Sequence, residues 1–272
     1  MSQFFTKLFV IVSFLTFASE CLAQLSPPGL DDTHVVLWGA VGTSQSINEK
    51  WSIQSYIGAS RFSNPNNSTV LKKQAIYVID EQVYRSLNKH WQLGACVSFR
   101  GQNMYSDEAP YDNAIPALRR EMRYYLRLFY RHHTGRFSFA YSLRPEWRNF
   151  YSPDWSRFYT SPQMMRYRIK AQASFAFGHS RNSSFVLANE LLFIEAQQRQ
   201  PSGDLKWNSV AWSEDRISTY YRYAFKKKKI MVDLGMMQQL NFNNNKFVND
   251  FVHFAIDAIF IDPFGTRKKE KS

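Results

Sequence analysis

Cysteine is nearly absent: the 272 residues hold two, Cys21 and Cys96. Cys21 lies in an N-terminal stretch that reads as a signal peptide. A mature chain therefore keeps Cys96 alone, and no disulfide within the chain can brace the fold. Long apolar runs are missing too. Beyond the N-terminal stretch nothing approaches the roughly eighteen unbroken apolar residues of a spanning helix, and mean hydropathy is −0.41. Ligand-binding signatures are lacking as well: there is no HExxH, CxxC or paired-His spacing, no EF-hand loop and no Gly-rich phosphate loop. Neither a metal nor a cofactor is expected. No Gly/Ser linker or helical stretch divides the chain.

The N-terminal segment MSQFFTKLFVIVSFLTFASECLAQ carries Lys7, an apolar run over 8–18 and small residues ending Cys21-Leu22-Ala23. That is the signal-peptide pattern, with cleavage expected after Ala23. Glu20 stands where a lipoprotein site wants a small residue, which argues against lipidation of Cys21. Domain boundaries follow: signal peptide 1–23, a single barrel domain over 24–265, and a basic tail over 266–272. Net charge is +12 and aromatics make up 17%. In a cytoplasmic protein such basicity points to nucleic acid. Here the export signal, and arginines that alternate with apolar residues instead of clustering, exclude that partner.

The alternation is the main signal. In FSFAYSLRPEWRNF (137–150), Phe137, Phe139, Tyr141, Leu143, Pro145 and Trp147 fall on one face of a strand, and Arg144, Glu146 and Arg148 on the other, because strand side chains alternate with period two. LRREMRYYLRLFYRHH (118–133) sets Met122, Tyr124, Leu126 and Leu128 against Arg119, Glu121, Arg123 and Arg127. MRYRIKAQASFAF (165–177) sets Tyr167 and Ile169 against Arg166, Arg168 and Lys170. EDRISTYYRYAF (214–225) sets Ile217, Tyr221 and Tyr223 against Glu214, Arg216 and Arg222. The runs 230–240 and 251–260 put Asp233, Gln239, His253 and Asp257 on the polar side, with Phe254 and Ile256 opposite; Glu190 joins the polar set from 183–196. Runs near 51–62, 73–87, 91–102 and 183–196 are more ragged.

These runs are long for globular strands, which average about 5–6 residues, and match the roughly 9–11 tilted residues of a membrane strand. Short turns are expected after 45, 87, 133, 177 and 225. Long polar links are expected near 63–72, 103–116, 151–163, 197–208 and 243–249. Short turns on one rim and long loops on the other mark a transmembrane barrel. The expected fold is therefore all-β: an antiparallel transmembrane β-barrel of about 10–12 strands in meander order. Eleven runs are countable if 33–45 is included. Because bacterial barrels use even numbers, either the segment 34–50 lies outside the wall or one more strand exists.

Register offers a check. With Thr134-Gly135 as a two-residue turn, Glu121 faces Arg148 and Arg123 faces Glu146. Closing the next hairpin over 178–182 sets Lys170 opposite Glu190; closing another over 226–229 sets Arg222 opposite Asp233 and Tyr220 beside Gly235. Directly opposed pairs contribute about 0.2–1 kcal/mol each. The charges must face a lumen, since an outward Arg or Lys at mid-depth costs about 2–4 kcal/mol. The lumen network is then Arg119, Glu121, Arg123, Arg127, Arg144, Glu146, Arg148, Arg166, Arg168, Lys170, Glu190, Glu214, Arg216, Arg222 and Asp233. The lipid-facing set is Tyr124, Leu126, Phe139, Tyr141, Leu143, Tyr167, Ile169, Tyr221, Tyr223, Phe254 and Ile256. The structural rival is an exported soluble β-sandwich, whose polar face meets water instead.

The series EMRYYLRLFYR, LRPEWRNF, MRYRIKAQ, LANELLFI and EDRISTYYRYAF, with WSIQSYIGASRF near the front, resembles the uncharacterised outer-membrane barrels filed as domain of unknown function 2490. The resemblance spans about residues 34–262. It implies a barrel in the outer membrane of a Gram-negative bacterium, inserted by the barrel-insertion machinery, and it implies no established activity. One departure is that Phe264 is followed by GTRKKEKS instead of ending the chain.

No catalytic residues are expected. An acyl hydrolase or transferase acting on membrane lipid needs a Ser activated by His. The histidines are His34, His90, His132, His133, His179 and His253, and none pairs with an outward Ser by parity. The functional readings are a structural or interaction barrel with a salt-bridged plug, or a narrow anion-favouring pore for a small anionic solute. The plug is favoured, because about eight strands are just filled by side chains. Loops carrying Tyr105, Tyr111, Trp155, Phe158 and Tyr159 are candidates for contact with lipopolysaccharide, other outer-membrane lipid or protein. The sequence does not fix an oligomeric state.

Overall fold

The computed structural model describes residues 35–265 apart from 65, 70–71, 107 and 244–245. The expected signal peptide and basic tail lie outside the described residues. Strands follow in chain order: β1 (Val35–Ser46), β2 (Trp51–Phe62), β3 (Lys73–Ser86), β4 (Trp91–Tyr105), β5 (Asn113–Thr134), β6 (Phe137–Tyr151), β7 (Gln163–Phe177), β8 (Ser183–Arg199), β9 (Leu205–Trp207), β10 (Ala211–Phe225), β11 (Ile230–Asn243) and β12 (Lys246–Ile261). A 3-10 turn at Lys226–Lys228 joins β10 to β11. The period-two runs of the sequence become long strands, with 22 residues in β5 and 15 in each of β6, β7 and β10.

All strands but β9 close into one barrel. Neighbours in sequence are neighbours in the wall, β8 pairs with β10, and β12 returns to β1. The wall therefore has eleven strands. From Val35 onward, the run expected at 33–45 is part of it, as β1 between β12 and β2, and is not outside. An odd meander brings its first and last strands together pointing the same way. β1 and β12 accordingly pair in parallel, Val35 with Val252 through Ser44 with Ile261, while every other wall pairing is antiparallel. The expectation of an even, wholly antiparallel wall fails at this one seam. β9 is a short flap on the end of β8.

The connections sort as expected, with one exception. Short links at 47–50, 87–90, 135–136, 178–182 and 226–229 occupy one rim, and longer ones at 63–72, 106–112, 152–162 and 200–210 the other. The long link expected near 243–249 is mostly strand: β11 runs to Asn243 and β12 starts at Lys246. The turn between β5 and β6 is Gly135-Arg136, with Thr134 facing Phe137. Gly135 has φ 60°. Glycine at the first central position is what a type II′ hairpin turn selects, so the turn sits one residue later than the sequence reading placed it. That moves the β5–β6 register by two residues and leaves every side chain on its predicted face.

The two faces of the wall differ. The outer one carries Ile57, Ile79, Leu126, Leu143, Ile169, Leu187, Leu234 and Ile256, each about half exposed. The inner one carries charge, together with a compact apolar cluster of Val36, Trp38, Ile76, Val78, Val186, Tyr220 and Ala255. Two aromatic rings of that cluster pack close against glycines on neighbouring strands. A Cβ on Gly58 would stand 2.5 Å from the Trp38 ring, and one on Gly235 2.5 Å from Tyr220. The Tyr220–Gly235 pairing is the one the β10–β11 register predicted.

Candidate functional site

The inner face of β4 to β8, with β10 and β11, carries an array of arginine–carboxylate clusters, around Glu121, around Glu146, Glu190 and Glu214, and at Asp233. Its geometry starts from the β5–β6 register. Arg123 stands opposite Arg148, and on the next pair of strands Arg144 stands opposite Arg168. Like charges directly opposed repel. Each pair is held by a carboxylate two residues along one of the strands. Glu121 takes both side chains of the first pair: its Oε1 accepts from Nε of Arg123 and of Arg148, and its Oε2 accepts from their Nη2 atoms at 3.0 and 3.1 Å. Glu146 lies 2.6 Å from Arg144 and accepts from Arg168 Nη1 at 3.1 Å. The direct pairs expected from sequence, Glu121 with Arg148 and Arg123 with Glu146, are replaced in register by Arg123–Arg148 and Tyr125–Glu146. The Glu121–Arg148 contact survives as a diagonal.

The array continues around the wall. Arg168 also donates to both oxygens of Glu190, from Nε at 3.0 Å and from Nη2. Lys170 faces Glu190 as predicted. Arg216 donates to Glu214 from Nε at 2.8 Å and from Nη2, and Arg166 Nη2 reaches Glu214 at 3.5 Å. Arg222 grips Asp233 with two bonds of 2.7 and 2.6 Å, again the predicted cross-strand pair. Fork-shaped guanidinium contacts of this kind are the strong, directional form of ion pair. Arg144 also sits over the Tyr125 ring, 3.6 Å from its centre, a cation–π contact that the buried setting strengthens.

Every lumen residue named from the sequence lies on this inner face. Arg119, Arg127 and Lys170 are half-buried; the others are buried, Glu146 at 0% exposure and Arg216 at 2%. On the outer face Tyr124, Leu126, Tyr141, Leu143, Ile169, Tyr221, Phe254 and Ile256 are exposed, and Phe139, Tyr167 and Tyr223 half-exposed. His253 is enclosed in the lumen, while His90, His132, His133 and His179 lie toward the short-turn rim.

Sequence reading missed one sector, on β3 and β4. Asp80 accepts from Tyr125 Oη at 2.7 Å and from Gln82, Tyr84 donates to Gln82, and Arg127 donates to Tyr84 Oη at 3.1 Å. Arg100 stands opposite Glu121 in the β4–β5 register, 3.9 Å from its Oε2. At the β1–β12 seam Trp38 Nε1 donates to Asp257 at 3.0 Å. Arg100 was out of reach of the register test, because β4 and β5 are joined by a long link and their ladder shifts between Asn103 and Tyr105.

The family of the chain can be read from the same stretch. The chain belongs to the family described as Protein of unknown function (DUF2490). The family model matches residues 36–250, which run from β1 into β12 and take in the whole arginine–carboxylate array. No curated protein matches the chain. In this DUF2490 barrel the cations outnumber the carboxylates on the inner face. Arg100, Arg119, Arg123, Arg127, Arg144, Arg148, Arg166, Arg168, Lys170, Arg216 and Arg222 meet Asp80, Glu121, Glu146, Glu190, Glu214, Asp233 and Asp257. The interior can thus hold negative charge. Among the described residues no group of three or more His, Cys, Asp or Glu side chains is placed to hold a metal ion.

Proposed function

We propose that this DUF2490 protein is an integral outer-membrane barrel, non-enzymatic, whose lumen is filled by its own side chains and whose long-loop rim makes the contacts that matter. The observation that carries the reading is the inverted wall. Leu126 and Ile256 are 55% and 50% exposed on the outside, while Glu146 is sealed inside at 0%. Water around the barrel would select the opposite arrangement; hydrocarbon selects this one. Strand length and the asymmetry of the rims support it. The barrel-insertion machinery is then the expected route to the membrane.

The enclosed charges favour a plug over an open channel, because a water-filled pore would leave its lining arginines accessible. The loop rim favours lipopolysaccharide as the outer partner. Arg120 lies over the Trp155 ring at 4.6 Å, Arg199 lies over Tyr159 at 4.4 Å, and both rings are exposed. Guanidinium and flat apolar surface side by side suit phosphorylated, acylated sugars. The decisive experiment is heat-modifiable gel mobility on fractionated membranes. A faster-migrating folded band in the outer-membrane fraction, converted by boiling, is expected; recovery of a folded, detergent-free monomer overturns the reading.

A further inference from the structure

Just past the end of β6 the chain doubles back on itself. Ser152 N donates to Ser156 O at 2.9 Å, Trp155 N donates to Ser152 O at 3.0 Å, and Arg157 returns to bridge Tyr151. On the other side of β6, Arg120 of β5 stands directly opposite Tyr151. Directly opposed residues share a face, so Arg120, Tyr151 and Arg157 form a row across the outer wall at the long-loop rim. Trp155 joins the row. Its backbone is left-handed, with φ 67°, a conformation that a bulky side chain seldom adopts. The indole lies against the wall, its centre 4.6 Å from the Arg120 guanidinium, 5.7 Å from the Tyr151 ring and 5.9 Å from that of Phe99. The Arg157 guanidinium lies 5.1 Å over the Tyr151 ring. Two cations thus flank a pair of aromatic rings. Arg157 and Trp155 are exposed, and Arg120 and Tyr151 half-buried. Asp154, the one acid of the 152–162 link, accepts from N and Oγ of Ser156 at 3.1 and 2.8 Å. Away from the rim the same face turns apolar, through Phe99, Tyr124 and Trp147.

We propose that this row is a lipid site, in which Arg120 and Arg157 grip a phosphate of lipid A, the acylated sugar that anchors lipopolysaccharide. The inference rests on the outer-membrane reading above and names the group recognised and the residues that recognise it. The complementarity is one of charge and of shape. Planar guanidiniums are the side chains best suited to phosphate. The Tyr151 and Trp155 rings between them offer a flat, amphipathic surface for a sugar, which the glycerol of an ordinary phospholipid does not need. An acyl chain then runs down the wall over Phe99, Tyr124 and Trp147. The order of the parts matches the order of the lipid: phosphate and sugar at the headgroup level beneath the long loops, hydrocarbon below.

The test titrates the purified barrel, in a nonionic detergent, with lipid A, with dephosphorylated lipid A and with phosphatidylglycerol. Native mass spectrometry counts the lipids bound. Lipid A should bind, and the other two about tenfold or more weakly. The double variant Arg120→Gln with Arg157→Gln, its folding checked by heat-modifiable mobility, should bind lipid A no better than the dephosphorylated form. Lipid A binding that the double variant leaves unchanged overturns the site while the rim's contact with lipopolysaccharide stands, carried by another part such as Arg199 and Tyr159. No binding of lipid A to the wild-type barrel overturns both. Equal binding of phosphatidylglycerol overturns the assignment to lipid A. Should the double variant fail to fold, Arg157→Gln alone, on an exposed side chain, reads the same site, and an unchanged affinity for lipid A there overturns it.

Discussion

At the scale of single residues, the lumen and the outer wall make opposite demands on the same side chain. Glu146 sits between Arg144 and Arg168 with no exposure to solvent. Replacing it by Gln keeps the shape and leaves two guanidiniums facing each other across β6 and β7. Breaking a buried pair from one side costs about 3–5 kcal/mol, so Glu146→Gln should lower the urea midpoint of the folded band by a correspondingly large step. Glu81 is the converse. It is an exposed carboxylate on the outer face of β3, flanked by Ile79 and Val83, which are 56% and 37% exposed. In water, Glu81→Leu is close to neutral. Against hydrocarbon it removes a group that costs on the order of 1 kcal/mol or more, an acidic side chain being cheaper there than a basic one. A rise in the urea midpoint in lipid vesicles is expected, and a fall or no change counts against the outer face as a lipid contact.

At the scale of strands, what could be read beforehand depended on whether a strand keeps its two faces chemically distinct. β5, β6, β7 and β10 do: arginine and glutamate alternate with Tyr, Phe, Leu and Ile, so parity alone fixed which residues meet in the lumen. β3 does not. Its inner face holds Ile76, Val78 and Tyr84 beside Asp80 and Gln82, and its outer face holds Glu81 and Arg85 beside Ile79. No parity argument separates those sets, and Asp80 and Gln82 were lost with it. Turn chemistry decided the next level. Gly135 takes the first turn position, not the second, so the β5–β6 pairs moved by two residues: Arg123 came to face Arg148, bridged by Glu121, and Glu146 came to face Tyr125. The β1–β12 seam was beyond reach, since closure depends on the count of the whole wall. That seam is also where an element-level prediction belongs. Trp38 fills the space over Gly58 and ties β1 to β12 through its bond to Asp257. Trp38→Ala opens a cavity and removes the donor to a buried carboxylate. A loss of about 3–5 kcal/mol is expected from the cavity alone, read as an earlier urea transition. Trp38→Phe should restore most of the packing and none of the bond, landing between the two.

At the scale of the whole molecule, the question is whether the interior conducts. The Arg168–Glu190 contact joins β7 to β8 on the inner face, with Glu146 and Arg216 on either side of it. Those side chains are nearly fully buried, so on the proposed plug reading the wild-type barrel in a planar bilayer should insert without current steps. Conductance follows side-chain volume here, and not charge alone. Removing one partner leaves the other buried and unpaired, which destabilises without clearing a path. Removing both by Arg168→Ala with Glu190→Ala takes away one charge of each sign and two long side chains, leaving the surplus of arginine to line the opening. Stable current steps are expected from this double variant, with chloride carried in preference to potassium because cationic linings select anions. Reversal potentials in a salt gradient measure that preference directly. Steps of equal size from the unmodified barrel would mean that water already threads the lumen, and that the enclosed clusters describe a constriction instead of a plug.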